Sequence, residues 1–314
     1  MRVLVTGGAG FIGSNLCRRL TGGTVPGVDD VVVLDDLSTG FASNLADVDV
    51  NFVEGSFLDP DALARAGRDV QAIVHLGARP SVPRSIADPV ASHVANASGT
   101  VAVLELARSL DAHVIVASSS SVYGATATIP KTEDLPTRPM SPYAASKLAT
   151  ESYTNAYAHS YAMDTLAFRF FNVFGPYQAA GHAYAAVVPA FVDAALAGRP
   201  LTIHGDGTQS RDFTFVDTLT EVIADAIVRR VAHLDPVNLA FGSRTDLLGL
   251  IDVLENVLGH GVERLHEPSR VGDVPHSQAD GRTLQALFPD VVPVGLDDGV
   301  AATVDWMRTA SAQT

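Results

Sequence analysis

The sequence predicts an α/β protein with a doubly wound parallel sheet and a smaller C-terminal α/β lobe. Short β-branched runs alternate with longer helical patterns through the first half, and a glycine-rich loop follows the first run. The chain has 314 residues, of which 47% are hydrophobic, enough for two lobes that share one core. No linker rich in Pro, Gly or Ser divides it. We therefore expect a first domain over residues 1–171 and an interleaved, substrate-binding lobe over 172–314.

The predicted elements follow from these patterns. Strands are expected at residues 2–6, 31–35, 50–54, 70–76, 113–118 and 165–170. Helices fill the intervals at 11–20, 61–66, 91–110 and 142–162, and more helices are expected at 185–197, 218–233 and 247–258. Ligands of a doubly wound sheet bind at the carboxyl ends of the strands.

Composition excludes several classes of partner and site. The net charge of −14 and the lack of a Lys/Arg cluster argue against nucleic acid and anionic membranes. Cys17 is the only cysteine, and the histidines show no paired ligand spacing, so neither a disulfide nor a metal site is expected. No signal-peptide pattern and no run of about 18 apolar residues is present. We expect a cytoplasmic protein.

The stretch VTGGAGFIG places Gly7, Gly10 and Gly13 between the first strand and the first helix. Glycines at these positions allow a tight turn, close approach of a pyrophosphate and close helix packing, and the helix N-terminus attracts phosphate. Asp35 ends the next strand, where a carboxylate binds an adenosine ribose and repels a 2′-phosphate. The pattern predicts NAD rather than NADP. A plain turn and a solvated Asp35 are the alternatives.

The stretch SPYAASK begins the helix predicted over 142–162. Ser141 can cap this helix and Pro142 suits its first position, which places Tyr143 in the first turn and Lys147 one turn later on the same face. A nearby ammonium should lower the pKa of Tyr143 from about 10 and make it a general base. The preceding strand, VIVASSSSVYG, ends in hydroxyls that can hold a substrate alcohol. A buried tyrosine beside a solvated lysine is the alternative.

In this order, the glycine triplet, the strand ending in serines and the YxxxK pair resemble the extended short-chain dehydrogenase/reductases that act on nucleotide sugars, which have a Rossmann fold. The resemblance covers nearly the whole chain and implies Ser119, Tyr143 and Lys147 as catalytic residues, with NAD as cofactor. Ser56 departs from the family, which usually has aspartate near the adenine. The implied NAD-contacting residues are Gly7, Gly10, Phe11, Ile12, Gly13, Asp35, Asp36, Leu37, Ser38, Gly40, Gly55, Ser56, Phe57, Leu76, Gly77, Ala78, Asn96, Ser118, Tyr143, Lys147 and Phe170.

Ser120 and Ser121 bear on the reaction class. Relatives that dehydrate the sugar usually carry Asp-Glu at these positions, and decarboxylases carry the glutamate, whereas a serine without an activating partner is no general base. The resemblance then implies a 4-epimerase, in which Tyr143 deprotonates the 4-hydroxyl and hydride passes to NAD and returns to the other face of a 4-keto sugar. A lyase of the same fold and a non-catalytic NAD-binding scaffold remain as other classes.

The same resemblance implies substrate contacts. Asn172, Arg211 and Arg270 match positions that bind the diphosphate, and Phe213 and Asp273 match positions near uridine. The implied substrate-binding residues are Ser81, Arg84, Ser119, Ser120, Ser121, Asn172, Val188, His204, Arg211, Phe213, Arg270, Asp273 and Ser277.

Ser277 stands where epimerases restricted to glucose and galactose have a bulky residue, so we expect UDP-GlcNAc/UDP-GalNAc as substrates, with UDP-Glc/UDP-Gal also accepted. Segments 81–85 and 183–189 resemble the subgroup that handles N-acetylated sugars. UDP-glucuronate 4-epimerases usually have threonine at Asn172 and arginine at Ala179, both missing here. Because Arg84 could approach a sugar carboxylate, that alternative stays open.

The helices predicted over 91–110 and 142–162 have apolar faces. In the family that the chain resembles, these helices form a dimeric four-helix bundle, so a homodimer is expected. A helix packed inside one subunit would give a similar pattern.

Overall fold

The structure is a computed structural model that describes residues 1–180, 185–268 and 275–311. The strands in chain order are β1 (Arg2–Thr6), β2 (Asp30–Asp35), β3 (Asn51–Glu54), β4 (Ala72–His75), β5 (His113–Ser119), β6 (Thr165–Phe170), β7 (Asn172–Phe174), β8 (Leu201–His204), β9 (Ser210–Arg211), β10 (Phe213–Phe215), β11 (Val237–Leu239), β12 (Thr245–Asp246) and β13 (Arg264–Glu267).

The helices alternate with these strands. They are α1 (Phe11–Thr21), α2 (Pro60–Ala66), α3 (Val82–Ala87), α4 (Pro89–His93), α5 (Gly99–Leu110), α6 (Pro142–Tyr161), α7 (Val187–Leu196), α8 (Val216–Arg229), α9 (Leu247–Leu258), α10 (Arg282–Leu287) and α11 (Leu296–Ser311). Over the described residues, no helix has the length and apolar character needed to cross a membrane.

The main sheet has seven strands in the order β11-β6-β5-β4-β1-β2-β3, and every neighbouring pair is parallel. Sequential strands run outward from β1 to both edges, which is the doubly wound topology that the sequence predicts. The predicted strands match the observed ones to within two residues at each end. Because β11 has only three residues, its apolar run was too short to be recognised.

Helices cover both faces of this sheet because its strands alternate apolar side chains above and below. Along β1, Val3 and Val5 face a core that includes Leu16 of α1 and Ile223 of α8. Leu4 faces the opposite core, with Leu104 of α5. Since α8 and β11 follow residue 172, the C-terminal half contributes to the first sheet. The division into domains itself stays a prediction.

A third core forms the second lobe. It joins α7, α9 and α11 to the small strands, with Phe191, Ile251 and Val304 among its buried side chains. Phe11 and Ile12 at the start of α1 also pack against it. The second lobe therefore lies against the end of α1 that carries the glycine loop.

The helix predicted over 91–110 is interrupted. Val94–Ser98 form a π-helical turn between α4 and α5. The wider turn frees the carbonyl of Asn96, which accepts hydrogen bonds from the hydroxyls of Thr100 at 2.6 Å and Thr150 at 3.2 Å. This turn ties α5 to α6.

Candidate functional site

The glycine loop adopts a conformation that side chains would prevent. Gly7 has φ +72°, and its N–H donates to Leu34 O at 2.9 Å. A Cβ on Gly7 would lie 2.7 Å from the amide nitrogen of Gly77, and one on Gly13 would lie 2.2 Å from Gly7 O. These contacts are with backbone, which cannot move aside as a flexible side chain can. Gly7 and Gly13 are therefore required by the close approach of β1, α1 and the segment after β4.

The mouth of the loop fits a dinucleotide phosphate. A Cβ added to Gly10 would meet only Gly7 O, at 3.2 Å, so the space beyond Gly10 is open. Gly10 is also the N-cap of α1, whose first turn at Phe11 and Ile12 presents backbone N–H groups without a capping side chain. An open, glycine-lined helix N-terminus is the arrangement that a pyrophosphate needs.

Asp35 closes the loop that follows β2. Its buried carboxylate accepts the N–H of Ala9 at 2.9 Å and that of Leu37 at 2.8 Å, and burial raises its pKa above the usual range. Asp36 accepts the N–H of Ser38 at 3.0 Å. The observed partners of Asp35 are the backbone N–H groups of Ala9 and Leu37. Its contact with the ribose stays a prediction.

Two further segments border the glycine loop. A Cβ on Gly40 would lie 2.7 Å from the carbonyl carbon of Ala9, so the 35–40 loop rests directly on it. Leu76 N and Gly77 N donate to the backbone and hydroxyl oxygens of Thr6, at 3.1 and 3.2 Å, and half-buried Ala78 comes next.

The segment after β3 lies at the outer edge of the loop region. Gly55 N donates to Asp35 O at 3.0 Å. Ser56 Oγ accepts the N–H of Leu58 at 3.2 Å, so this serine makes a local turn. The ring of Phe57 packs edge-on against His75 at 5.2 Å and covers Gly77.

Strand β5 and helix α6 bring the predicted catalytic residues together. β5 ends at Ser119, while Ser141 caps α6 by accepting the N–H of Ala144 at 3.1 Å, so Tyr143 stands in the first turn. Ser119 lies near the Tyr143 phenol and acts to lower the pKa of Tyr143. Lys147 is buried one turn later, and its ammonium donates to Ala117 O at 2.8 Å. Ser119, Tyr143 and Lys147 thus lie on β5 and the first turns of α6, and their catalytic roles stay a prediction.

The prediction that Lys147 lowers the pKa of Tyr143 is wrong for this structure. Burial raises the pKa of Tyr143 and outweighs the opposing effect of Ser119. Burial also lowers the pKa of Lys147 to about 8, although the charge of Glu151 opposes this. Nearby His75 is neutral, because burial and the Lys147 charge lower its pKa to about 3.

Two predicted cofactor residues direct their side chains to protein partners. Asn96 accepts the N–H of Arg79 at 2.7 Å and donates to Ser146 Oγ at 2.9 Å. Ser118 donates its hydroxyl to Glu151. The side chains of Asn96 and Ser118 therefore bind neighbouring protein groups. Their NAD contacts stay predictions. Phe170 lies opposite Ser119 in the sheet register.

Several predicted substrate residues surround the catalytic edge. Ser81 has φ +93° and caps α3, where its hydroxyl accepts Arg84 N at 3.4 Å. Ser120 and Ser121 form a short 3₁₀ helix over Ser120–Tyr123, and the buried hydroxyl of Ser121 has no hydrogen-bond partner among the described residues. Such an orphaned group is suited to a ligand.

The second lobe supplies other predicted contacts. Asn172 donates its backbone and amide N–H groups to Asp212 O at 3.2 and 3.4 Å. Arg211 donates to Ser210 O at 2.9 Å and to Pro275 O at 3.3 Å, and Ser277 N donates to Ser210 O at 3.0 Å. Arg211 and Ser277 thus lie on adjacent segments. Arg270 and Asp273 fall outside the described residues.

Three other predicted substrate residues lie in or beside the core of the second lobe. Val188 and Phe213 are buried in the core of the second lobe, where Phe213 packs edge-on against Phe174 at 6.1 Å. Nδ1 of His204 lies 3.5 Å from Oε2 of Glu267. Val188 and Phe213 pack in this core, as apolar side chains in the middle of a lobe do, and their substrate contacts stay predictions.

Sequence reasoning missed Asp212. This fully buried carboxylate accepts Gly242 N at 3.1 Å, Ala279 N at 3.0 Å and the hydroxyl of Ser243 at 2.9 Å. It therefore gathers the segments around Arg211 and Ser277. The available signal was a carboxylate directly before the apolar run FTFV, which indicates a buried charge. A buried carboxylate needs hydrogen-bond donors, and backbone N–H groups supply them here.

Comparison with known proteins identifies relatives along the whole chain. A family model described as the NAD dependent epimerase/dehydratase family matches residues 3–240. UDP-glucose 4-epimerase from Mycolicibacterium smegmatis is 37% identical and covers 99% of this chain and 100% of its own. A probable UDP-glucuronate 4-epimerase from Rhizobium meliloti is 34% identical, with 98% and 96% covered.

Solved structures agree with this fold. UDP-N-acetylglucosamine 4-epimerase from Methanobrevibacter ruminantium M1, in complex with UDP-N-acetylmuramic acid, superposes with a TM-score of 0.91 at 32% identity, covering 98% of each chain. The dTDP-glucose 4,6-dehydratase DesIV from Streptomyces venezuelae, solved with NAD, gives a TM-score of 0.89 at 35% identity, covering 100% of this chain and 98% of its own.

Proposed function

Because the chain belongs to the NAD-dependent epimerase/dehydratase family, we propose that it is an NAD-dependent UDP-sugar 4-epimerase. The observation that carries the proposal is the placement of Ser119 at the end of β5 near Tyr143 in the first turn of α6, with Lys147 buried one turn away. Neither Ser120 nor Ser121 supplies the carboxylate that a dehydration or decarboxylation would need.

Each catalytic side chain has a defined part in this proposal. Tyr143 removes the proton of the sugar 4-hydroxyl, which Ser119 orients by a hydrogen bond, and Lys147 stabilises the phenolate with its positive charge. NAD, held by the glycine loop at Gly7, Gly10 and Gly13, would supply the acceptor and donor of the sugar's C4 hydride. The sugar passes through a 4-keto form, turns its other face and regains its proton from Tyr143.

The reaction requires a phenolate and an ammonium in the same site. Between the pKa of Lys147, about 8, and the raised pKa of Tyr143, the two groups together carry one proton. Only the arrangement with the proton on Lys147 is reactive. The catalytic rate therefore depends on the difference between the two pKa values.

We further propose that the substrates are UDP-GlcNAc/UDP-GalNAc, with UDP-Glc/UDP-Gal also accepted. Ser277 has a small side chain on the segment that pairs with Ser210, next to Arg211. A small residue there leaves room for a 2-N-acetyl group. The Methanobrevibacter neighbour acts on UDP-N-acetylglucosamine and the mycobacterial relative on UDP-glucose.

UDP-glucuronate is the second candidate substrate. Arg84 is half-buried at α3 and has no ion-pair partner among the described residues, so it is available to a sugar carboxylate. The Rhizobium relative carries this activity in its name. Asn172 and Ala179 favour the neutral sugars, because the glucuronate epimerases that the chain resembles usually have Thr and Arg there.

The test incubates the purified protein, without added cofactor, with UDP-Glc, UDP-GlcNAc or UDP-glucuronate and identifies the products by NMR. We expect the isomer with an axial 4-hydroxyl from UDP-GlcNAc and UDP-Glc. Tyr143→Phe should abolish this product while bound NAD is retained, and Tyr153→Phe on the same helix is the matched control. Release of water or carbon dioxide would overturn the epimerase assignment.

Exposed apolar side chains on α4, the π-helical turn and α6 support a homodimer. Val90 and Tyr153 are 70% and 45% exposed, and Val94 and Tyr161 are also exposed. A cavity of about 230 Å³ is lined by His93 of α4, Ala97 and Ser98 of the π-helical turn, Val101 of α5 and Tyr153 of α6. Exposed apolar side chains on two adjacent helices fit a second copy that buries them in a four-helix bundle.

A further inference from the structure

A buried ion pair lies directly behind the catalytic residues. Glu151 follows Lys147 by one turn of α6 and is 2% exposed, while Arg169 on β6 is 4% exposed. The guanidinium binds the carboxylate through two hydrogen bonds, Nε to Oε1 and a terminal nitrogen to Oε2, each of 2.9 Å. Two opposite charges are thus removed from water with bidentate geometry.

Glu151 also contacts the strand that carries Ser119. The hydroxyl of Ser118, the residue before Ser119, donates to Oε1 of Glu151. The carboxylate therefore binds the end of β5 and stands one turn from Lys147 on α6. Both elements that supply the catalytic side chains meet at this one group.

The free side of Arg169 extends the network to the segment between β5 and α6. Its terminal nitrogen donates to the Tyr123 hydroxyl at 2.9 Å and to Glu133 O at 3.2 Å. Tyr123 donates to Asn238 Oδ1 at 2.7 Å, and Asn238 donates to Lys131 O at 2.8 Å. Residues 123–133 are thereby held in place between Ser119 and Tyr143.

Stability alone does not account for a buried ion pair. Desolvation of two charges offsets most of their attraction, so apolar residues of similar size give comparable stability. The pair instead fixes one negative charge near Lys147. The other ionisable groups near Lys147 are Tyr143 on α6, His75 on β4 and Arg169 on β6; His75 is neutral, and only Glu151 favours the ammonium form.

We propose that Glu151 is a positioning residue for the reaction: its carboxylate keeps Lys147 in the ammonium form and holds the end of β5, and Arg169 is the counter-ion that allows this charge to be buried. The catalytic half of this inference rests on the proposed epimerase function. Because the reactive arrangement needs the proton on Lys147, each pKa unit lost by Lys147 reduces the reactive fraction about tenfold at pH values above the Lys147 midpoint.

The composition of the chain allows a direct measurement. Lys131 and Lys147 are its only two lysines, and all other basic residues except histidine are arginines. Protein labelled with [ε-¹³C]lysine and purified with its cofactor should give two side-chain NMR signals, which Lys131→Arg assigns. The titration midpoint of Lys147 is read without substrate.

Glu151→Gln is the decisive variant. We expect the Lys147 midpoint to fall by about one pH unit and kcat, measured above pH 8, to fall about tenfold with KM unchanged. Asp225→Asn, which removes the carboxylate from the exposed Asp225–Arg229 pair on α8, should leave both values as in the wild type. An unchanged Lys147 midpoint in Glu151→Gln would overturn the proposal.

A second variant separates this effect from misfolding. Glu151→Gln leaves Arg169 buried without its counter-ion, whereas Glu151→Gln combined with Arg169→Met removes both charges. The double variant should fold and still show the lowered midpoint, and a wild-type midpoint in it would contradict the inference. A shifted midpoint together with a wild-type protein that turns over no UDP-sugar would instead refute the proposed function and leave the electrostatic role of Glu151 standing.

Discussion

At the scale of single residues, burial shifts the pKa values of Tyr143 and Lys147 in opposite directions. Burial raises the pKa of the phenol and lowers that of the amine to about 8. Both shifts favour the neutral forms, whereas the proposed reaction needs both charged forms. The site therefore holds its reactive state as a minor population, and nearby charges set the size of that population.

The two pKa shifts predict the direction in which turnover changes with pH. Below the pKa of Lys147 both groups are protonated and inactive, and above it the pair together carries one proton, so kcat should rise with pH through about 8. The rate is measured from pH 6 to 9.5 with saturating UDP-sugar. A rate that is flat or falls across this range would show that the pair does not control the chemical step.

The sequence predicted the positions of these residues but not their pKa values. Ser141 and Pro142 mark the start of α6, so the placement of Tyr143 and Lys147 follows from local chemistry. Their burial depends on how α6 packs against β5, which is a tertiary property. Glu151 and Arg169 were missed for the same reason, because 18 positions separate them in the chain.

At the scale of elements, three elements were predicted with the bounds that the structure shows. β1, β6 and α9 match the expected residues at both ends. The π-helical turn at Val94–Ser98 was missed, because an apolar pattern does not reveal one additional residue in a turn. Short strands of the second lobe were missed because two or three residues carry no periodicity.

The junction of β1 and α1 allows a test of the glycine loop. Gly13→Ala places a methyl group 2.2 Å from Gly7 O, and backbone cannot yield as a side chain would. We expect the free energy of unfolding to fall by about 2–3 kcal/mol and the NAD content of the purified protein to drop. Denaturant unfolding and absorbance of released cofactor measure these effects.

Gly295→Ala is the matched control for this loop. A Cβ at Gly295 would meet only Asp298 Oδ2, at 3.8 Å, so no loss is expected. Equal effects in the two variants would contradict the steric account of Gly13.

At the scale of the whole molecule, Asp212 connects distant segments of the chain. Its carboxylate holds Gly242, Ser243 and Ala279 beside the strand of Arg211. The sequence predicts each lobe from its own patterns, but it does not predict this junction. The fold class was therefore predictable from the sequence, and the contacts that join the segments around Arg211 and Ser277 were not.

Asp212→Asn should disturb this junction. The amide keeps the size of the side chain but directs N–H groups toward backbone donors, so we expect unfolding to become easier by about 1–3 kcal/mol and KM for the UDP-sugar to rise more than kcat falls. Urea unfolding and steady-state kinetics test this. Asp206→Asn, at an exposed turn, should change neither value.

The proposed dimer is tested by charge on its apolar face. Val90→Arg places a guanidinium where two copies would meet, so we expect the protein to shift from dimer to monomer in sedimentation velocity. Leu234→Arg, at an exposed apolar residue on another surface, is the control. A monomeric wild type would refute the interface.

The two buried lysines have a practical consequence for chemical labelling. Apart from these side chains, the only primary amine in the chain is that of Met1, which pairs with Asp29 at the surface. An acylating reagent should therefore modify the N-terminus first, which gives a singly tagged protein without mutagenesis. Slower inactivation by the same reagent would record how often the interior around Lys147 becomes accessible to solvent.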